Sequence, residues 1–253
     1  MNQLVKIEKW RPDWEQFDDQ ELLKICNAGN QARHWTNVLR KTDETPLSSL
    51  LYGVETVEDD MEYPSQTVQD FESGSQYYFH SHSDRNGEFG HLHTYVLESG
   101  IPKGIRGHSP ATLGDHSNKF RTHSHLVAIV INKSCMPQSM FTINHWSSQE
   151  AQYSLQNLEK ILDCFDISHA WPSYPSNRWM SALLRLFKPQ IMHLFAEREA
   201  YLAALDTEGR ETPAAEDYDL EVTSQAEISV ADQLNSALSE ARRRKLEVLE
   251  FSA

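Results

Sequence analysis

Residues 75–97, SQYYFHSHSDRNGEFGHLHTYVL, decide the fold class. Two runs rich in aromatic and β-branched residues flank a turn-rich segment at 83–90, and the pattern reads as an antiparallel hairpin. Residues i and i+2 of a strand project to the same side. His80/His82 and His91/His93 therefore each present two imidazoles on one face. Setting His82 opposite His91 puts His80 against His93 and Tyr78 against Tyr95. A register shifted by two residues keeps all four histidines on that face. Directly opposed Cβ atoms lie about 4.5–5.5 Å apart, a spacing that suits imidazoles converging on one cation. The opposite face holds Phe79, Leu92, Thr94 and Val96, a core-facing set.

Outward from the hairpin, HLVAIVIN (125–132) and SMFTINHW (139–146) read as two further strands joined through CMPQS (135–139). Upstream, residues 12–52 read as helices. The first starts at Pro12 and Asp13 and stops at Gly29, and a second carries Trp35, Val38 and Leu39. Residues 53–70 are acidic and irregular, and 98–122 form a long loop. Ser147 and Glu150 have the spacing of a capping box that opens a helix through Leu155, Leu158, Ile161, Leu162 and Phe165. WPSYPSN (171–177) interrupts; a helix then carries Trp179, Leu183, Leu184 and Phe187, and Pro189 restarts it to about Leu205. Residues 207–225 read as an acidic linker, and 226–253 as an amphipathic helix. The expected class is α+β: a small, mostly antiparallel, His-bearing sheet packed with N- and C-terminal helices. The expected division is one domain over 1–206, then the linker, then the C-terminal helix.

Composition narrows the function. The 253 residues are 39% hydrophobic, enough for a packed core, and the formal net charge is −14. That charge repels phosphate backbones and anionic bilayers, so neither nucleic acid nor membrane is an expected partner. The N-terminal residues lack an apolar signal-peptide core and no apolar run is long enough to span a bilayer. Three widely spaced cysteines make no disulfide framework, and a cytoplasmic location is expected.

Eight of the twelve histidines fall between 80 and 125. The candidate metal ligands are His80, His82, Glu88, His91, His93 and His125, with Glu88 supplying the carboxylate. Tyr78 and Tyr95 share the histidine face and, with Glu88, are the candidate catalytic residues. His108, His116, His123 and His145 are left open as further members. Asn144, Trp146 and Arg178 are candidates for lining the same cavity. Two or three histidines with one carboxylate form the ligand set of mononuclear non-haem Fe(II) oxygenases and of several zinc hydrolases.

The H-x-H pairs also invite comparison with known motifs. Gly74, His80 and His82 resemble the first cupin motif, although Glu88 follows later than that motif requires and Tyr95 stands at its closing glycine. His80, His82 and Asp84 match part of the metallo-β-lactamase pattern, with Arg85 in place of its last histidine; His80-Ser81-His82 matches the start of the JAMM metalloprotease pattern. The whole set QYYFHSH, EFGHLHTYV, HLVAIVIN, MFTINHW and PSNRWMSALLRLFKPQI resembles a bacterial family of uncharacterised proteins over roughly residues 20–205. That resemblance implies one unit and no activity. The expectation is therefore a metal-dependent enzyme, a mononuclear iron oxygenase or oxidoreductase acting on a small molecule with Fe(II) as cofactor. The alternatives are a zinc hydrolase or lyase, and a non-catalytic sensor or scaffold. Residues 226–253 offer an apolar stripe for a protein partner or self-association.

Overall fold

A computed structural model describes residues 6–7, 10–82, 88–108, 122–207, 209–210 and 212–249. Its strands are β1 (Lys6–Ile7), β2 (Glu62–Gln69), β3 (Ser75–Ser81), β4 (Glu88–Val96), β5 (Ser124–Asn132), β6 (Pro137–Ile143) and β7 (Val222–Glu227). The α-helices are α1 (Asp19–Arg40), α2 (His145–Ser148), α3 (Leu155–Asp163), α4 (Tyr174–Leu186), α5 (Lys188–Asp206) and α6 (Val230–Arg243). The fold is α+β. Among the described residues the strands form one sheet in the order β1-β7-β6-β5-β4-β3-β2, antiparallel except for the β1–β7 pair.

The sheet separates two environments. Along β3, Ser75, Tyr77, Phe79 and Ser81 are buried, while Gln76, Tyr78 and His80 between them are half-buried. Tyr77, Phe79, Leu92, Val96, Ile129, Ile131 and Met140 belong to the main core, together with Trp179, Leu183, Ile191, Leu194 and Phe195 of the helical layer. The Tyr77 hydroxyl donates to Asn177 Oδ1 at 2.7 Å, so even the polar tip on this face is satisfied. A smaller apolar cluster of Ala128, Val130, Phe141 and Ile143 lies on the other face, that of the histidines.

Several elements differ from the sequence expectation. Asp18 and Glu21 form the capping box that starts α1, at 2.9 and 3.2 Å; Asp13 caps only a 3-10 turn at Trp14–Gln16. α1 runs through Gly29 without stopping. A Cβ there would lie 2.6 Å from Leu234 Cδ1, so the glycine admits α6 rather than ending a helix. Residues 62–69, expected to be irregular, make the edge strand β2, where Pro64 is tolerated because an edge strand can spare an N–H. The helix expected from Ser147 opens instead at Ser154, whose hydroxyl accepts from Asn157 N. Of the expected loop, 109–121 lies outside the described residues.

The largest correction concerns the tail. Residues 207–225 are not a linker: Ala214, Ala215, Glu216 and Leu220 are buried, and β7 enters the sheet between β1 and β6. Asn144 Nδ2 donates to the carbonyls of Ala214 and Leu220, and Trp146 Nε1 to that of Leu220. The acidic composition hid this because side chains facing water can be charged while the backbone completes a ladder. α6 then buries Leu234 against Gly29 of α1 and lays Ala237 and Ala241 into the main core, so this part of its apolar stripe is covered within the chain. Arg244 closes the contact by donating to the Trp14 and Phe17 carbonyls.

Deletion of residues 207–253 should thus abolish the cooperative thermal transition seen by circular dichroism. A truncated chain that still melted sharply near the full-length temperature would restore the linker division.

Candidate metal centre

The register of β3 and β4 places the histidines. His80 pairs with His91 and Tyr78 with His93, two residues away from the expected His82–His91 pairing. The cause is local. Ser81 opposes Gly90, whose φ of +154° and missing Cβ let the His80 carbonyl and Phe79 ring come close. Beyond that pair, the His82 N–H still reaches Phe89 O at 3.4 Å. Because the shift is two residues, every imidazole stays on the same face.

The rings form a row. His82 lies 4.4 Å from His80 and 4.8 Å from His91 between centroids; His93 lies 6.0 Å from both; His125 lies 5.4 Å beyond His93. At the inner end His93 Nδ1 and His125 Nε2 are 3.2 Å apart. Tyr78 stacks on His93 at 5.3 Å, and its hydroxyl is 3.2 Å from that of Tyr95, whose ring meets His125 edge-on at 4.9 Å. Phe141 packs edge-on against His91 at 4.8 Å and His93 at 6.3 Å. Aromatic walls thus fix the inner rings from two sides.

At the outer end the structure adds a residue that sequence reasoning missed. Asp60 Oδ1 is 3.1 Å from His82 Nδ1, and ligand atoms of Asp60, His80 and His82 lie within 4.8 Å of one another. Asp60 arrives through the backbone bonds Asp60 N to Ser81 O and Ser81 N to Met61 O, both 3.0 Å. No spacing signal marks it among its acidic neighbours. Glu88, the carboxylate expected from sequence, sits with its Oε2 3.5 Å from His91 Nε2. Of the open candidates, His123 places Nε2 2.8 Å from the Ser148 carbonyl and His108 pairs through its backbone with Gln152; His116 lies outside the described residues. Arg178 binds Asp166 at 2.8 Å. Asn144 and Trp146 tie down 214–220 as described, so the hydrogen-bond partners named for these three residues are not members of the histidine row.

Burial acts on three rings of the row, His80, His93 and His125. It lowers the His93 pKa to about 3, helped by His91, His80 and His82. It also holds His125 well below the ordinary histidine value, helped by His93, Arg198 and His123. His80 is lowered by burial and then by His82. Burial raises both Tyr78 and Tyr95, which keeps them as neutral phenols. Neutral imidazole is the form that ligates.

Behind His125 lies a ring of titratable groups, most of it buried. Glu150 accepts the His125 backbone N–H at 2.6 Å and Arg198 NH1 at 3.0 Å, and lies 3.4 Å from His145 Nδ1. His145 Nε2 is 3.6 Å from Glu199, which accepts Arg198 Nε at 3.1 Å. Burial alone would raise Glu150, yet Arg198, His145 and the His125 N–H hold it below the usual carboxylate value. Sequence reading took Glu150 for a cap and left His145 open; only the packing of α5 beside β6 and β7 reveals their partnership.

Residues 26–228 match the model of a domain of unknown function, DUF6969. The chain belongs to that family. The match covers the hairpin, the helical layer and β7, and so includes the segment read from sequence as a linker. No curated protein and no solved structure matches the chain.

Acid should expose the buried pair. His93 and His125 titrate below the unfolded value, so the unfolded chain binds protons that the native one refuses. Their contribution is intact above about pH 6.5 and is lost progressively as pH falls below it. At pH 5.5, about one unit below the unfolded value, His93 should cost on the order of 1 kcal/mol of the stability present at high pH, and His125 acts in the same direction. Urea unfolding of metal-stripped protein at pH 7.5 and 5.5 measures this, and His93→Gln should make the difference smaller. Equal pH dependence in wild type and variant would contradict the burial argument.

Proposed function

We propose that the histidine face is a metal centre of a metal-dependent enzyme acting on a small molecule, with Asp60, His80 and His82 as its outer ligands. The observation that carries the reading is the convergence of these three donor groups within 4.8 Å. Two imidazoles and one carboxylate suit Fe(II), and a three-ligand set leaves positions for dioxygen and substrate. Bound there, iron would supply oxidoreductase chemistry. The chain's own residues would shape the surroundings: Tyr78 and Tyr95 present hydroxyls beside the row, and Phe141 supplies an apolar wall. In this reading Asp60 takes the carboxylate position for which Glu88 was the sequence candidate.

One contact favours a second, redox-inert reading. Glu88 Oε2 lies 3.5 Å from His91 Nε2, beside the triad. A carboxylate–imidazole pair next to Zn(II) could act as general base toward metal-bound water, the arrangement of a hydrolase or lyase.

Tag-free protein purified without chelator and analysed for metals decides first whether the centre is filled, and by which ion. Saturating metal at about a hundred times its Kd should stabilise the fold by about 2.7 kcal/mol. His82→Ala and Asp60→Asn should each weaken binding at this triad at least tenfold while preserving the far-ultraviolet spectrum. An unchanged melting curve on adding either metal, or full occupancy in both variants, would overturn the metal-centre reading. If iron is found, oxygen uptake should vanish in His82→Ala. If zinc is found, Glu88→Gln should keep the metal but slow turnover.

A further inference from the structure

We infer that the histidine row carries a second, inner cation site, formed by His93 Nδ1 and His125 Nε2 and distinct from the Asp60–His80–His82 triad. The inference rests on the metal-centre reading and deepens it.

The first argument is reach. An imidazole holds an ion no more than about 6.5 Å from its own Cα, given metal–nitrogen bonds near 2.1 Å. Two histidines on one ion therefore have Cα atoms at most about 13 Å apart. His125 pairs with Tyr95, and Tyr95 pairs with Gln76. Gln76 lies four residues from His80 and six from His82 along β3. At about 3.3 Å per residue along strands and 4.8 Å between them, His125 sits roughly 16 Å from His80 and 22 Å from His82. One ion cannot serve His125 and either histidine of the triad. The six ligands expected from sequence thus cannot all belong to a single mononuclear site.

The second argument is the inner geometry. The two nitrogens are 3.2 Å apart. Ligands at about 2.1 Å subtending roughly 90–109° at one ion have donors about 3.0–3.4 Å apart. The rings are also held in place. Tyr78 stacks on His93, Phe141 and Tyr95 press edges against the pair, and Glu150 pins the His125 backbone at 2.6 Å. The His125 ring is fully buried, and its Nδ1 finds no hydrogen-bond partner among the described residues. Nε2 faces a second imidazole nitrogen rather than an oxygen acceptor, which sets two nitrogen donors against each other in the buried interior. The donors are both neutral nitrogens, which favours a divalent transition metal such as Zn(II) over Ca(II) or Mg(II), with water filling the remaining positions.

Full-length, tag-free, metal-stripped protein titrated with Zn(II) by calorimetry tests this. Wild type should bind two equivalents. His125→Gln and, independently, His93→Gln should each bind one. His82→Ala should also bind one, which His93→Gln then removes. One equivalent retained in His82→Ala but lost in His125→Gln would refute the outer triad and leave the inner site standing. One wild-type equivalent abolished by His82→Ala would overturn the inner site, leaving a plain His93–His125 hydrogen bond, while the metal-centre reading survived. No binding would sink both. If the inner variants fail to fold, Co(II) added to wild type gives the same answer by proton NMR. Paramagnetically shifted resonances from the His93 and His125 rings support the site, and shifts confined to His80 and His82 overturn it.

Discussion

The pairing of Ser81 with Gly90 positions everything on the histidine face. It sets His80 beside His91 and Tyr78 beside His93, and turns Tyr77, Phe79, Leu92 and Val96 toward the helices. A slip of one residue would exchange the two faces entirely. Imidazoles would then enter the main core, and four large apolar side chains would leave it. Each such side chain is worth about 1.5–3 kcal/mol when fully buried. The core therefore enforces the register, and the register in turn aligns the histidines.

A second constraint acts from behind the sheet. Glu150, Arg198, His145 and Glu199 form a closed ring of charged and titratable groups, three of them almost fully buried. Desolvating such groups is costly, and a buried ion pair seldom adds net stability over an apolar replacement. Its value here is positional. Glu150 spends one oxygen on the His125 backbone and the other on Arg198, which ties the start of β5 to α5. The inner end of the row is thereby linked to the helical layer and to β7, because α5 also packs on β7 through Ser224 Oγ and Leu194 O. The tail and the candidate centre belong to one mechanical unit.

Much of the site was legible from local pattern. His80, His91 and His93 fall on strands and His82 directly follows β3, and a period of two puts each pair on one side whatever the exact register. His125, at the head of an apolar strand, was readable in the same way. Asp60 was not, because it reaches His82 through a backbone bond to Ser81 rather than through any spacing. Nor was Glu150, whose helix-cap spacing with Ser147 was coincidental; its partners are 25 and 48 residues away in the chain. Gly29 looked like a helix stop because glycine is a poor helix former, but closeness to Leu234 outweighs that preference.

The sequence by itself determined the α+β class, the hairpin, the face shared by the four histidines and the residues of the apolar core, since each depends on periodicity within a short segment. Only the tertiary structure decided that β7 joins the sheet, that Asp60 reaches His82 while Glu88 reaches His91, and that His125 sits opposite Tyr95, well along the sheet from His80 and His82. Those facts depend on strand order, register and the approach of distant segments. Such contacts are selected by the packing of the whole chain and leave no periodic trace in any one part of it.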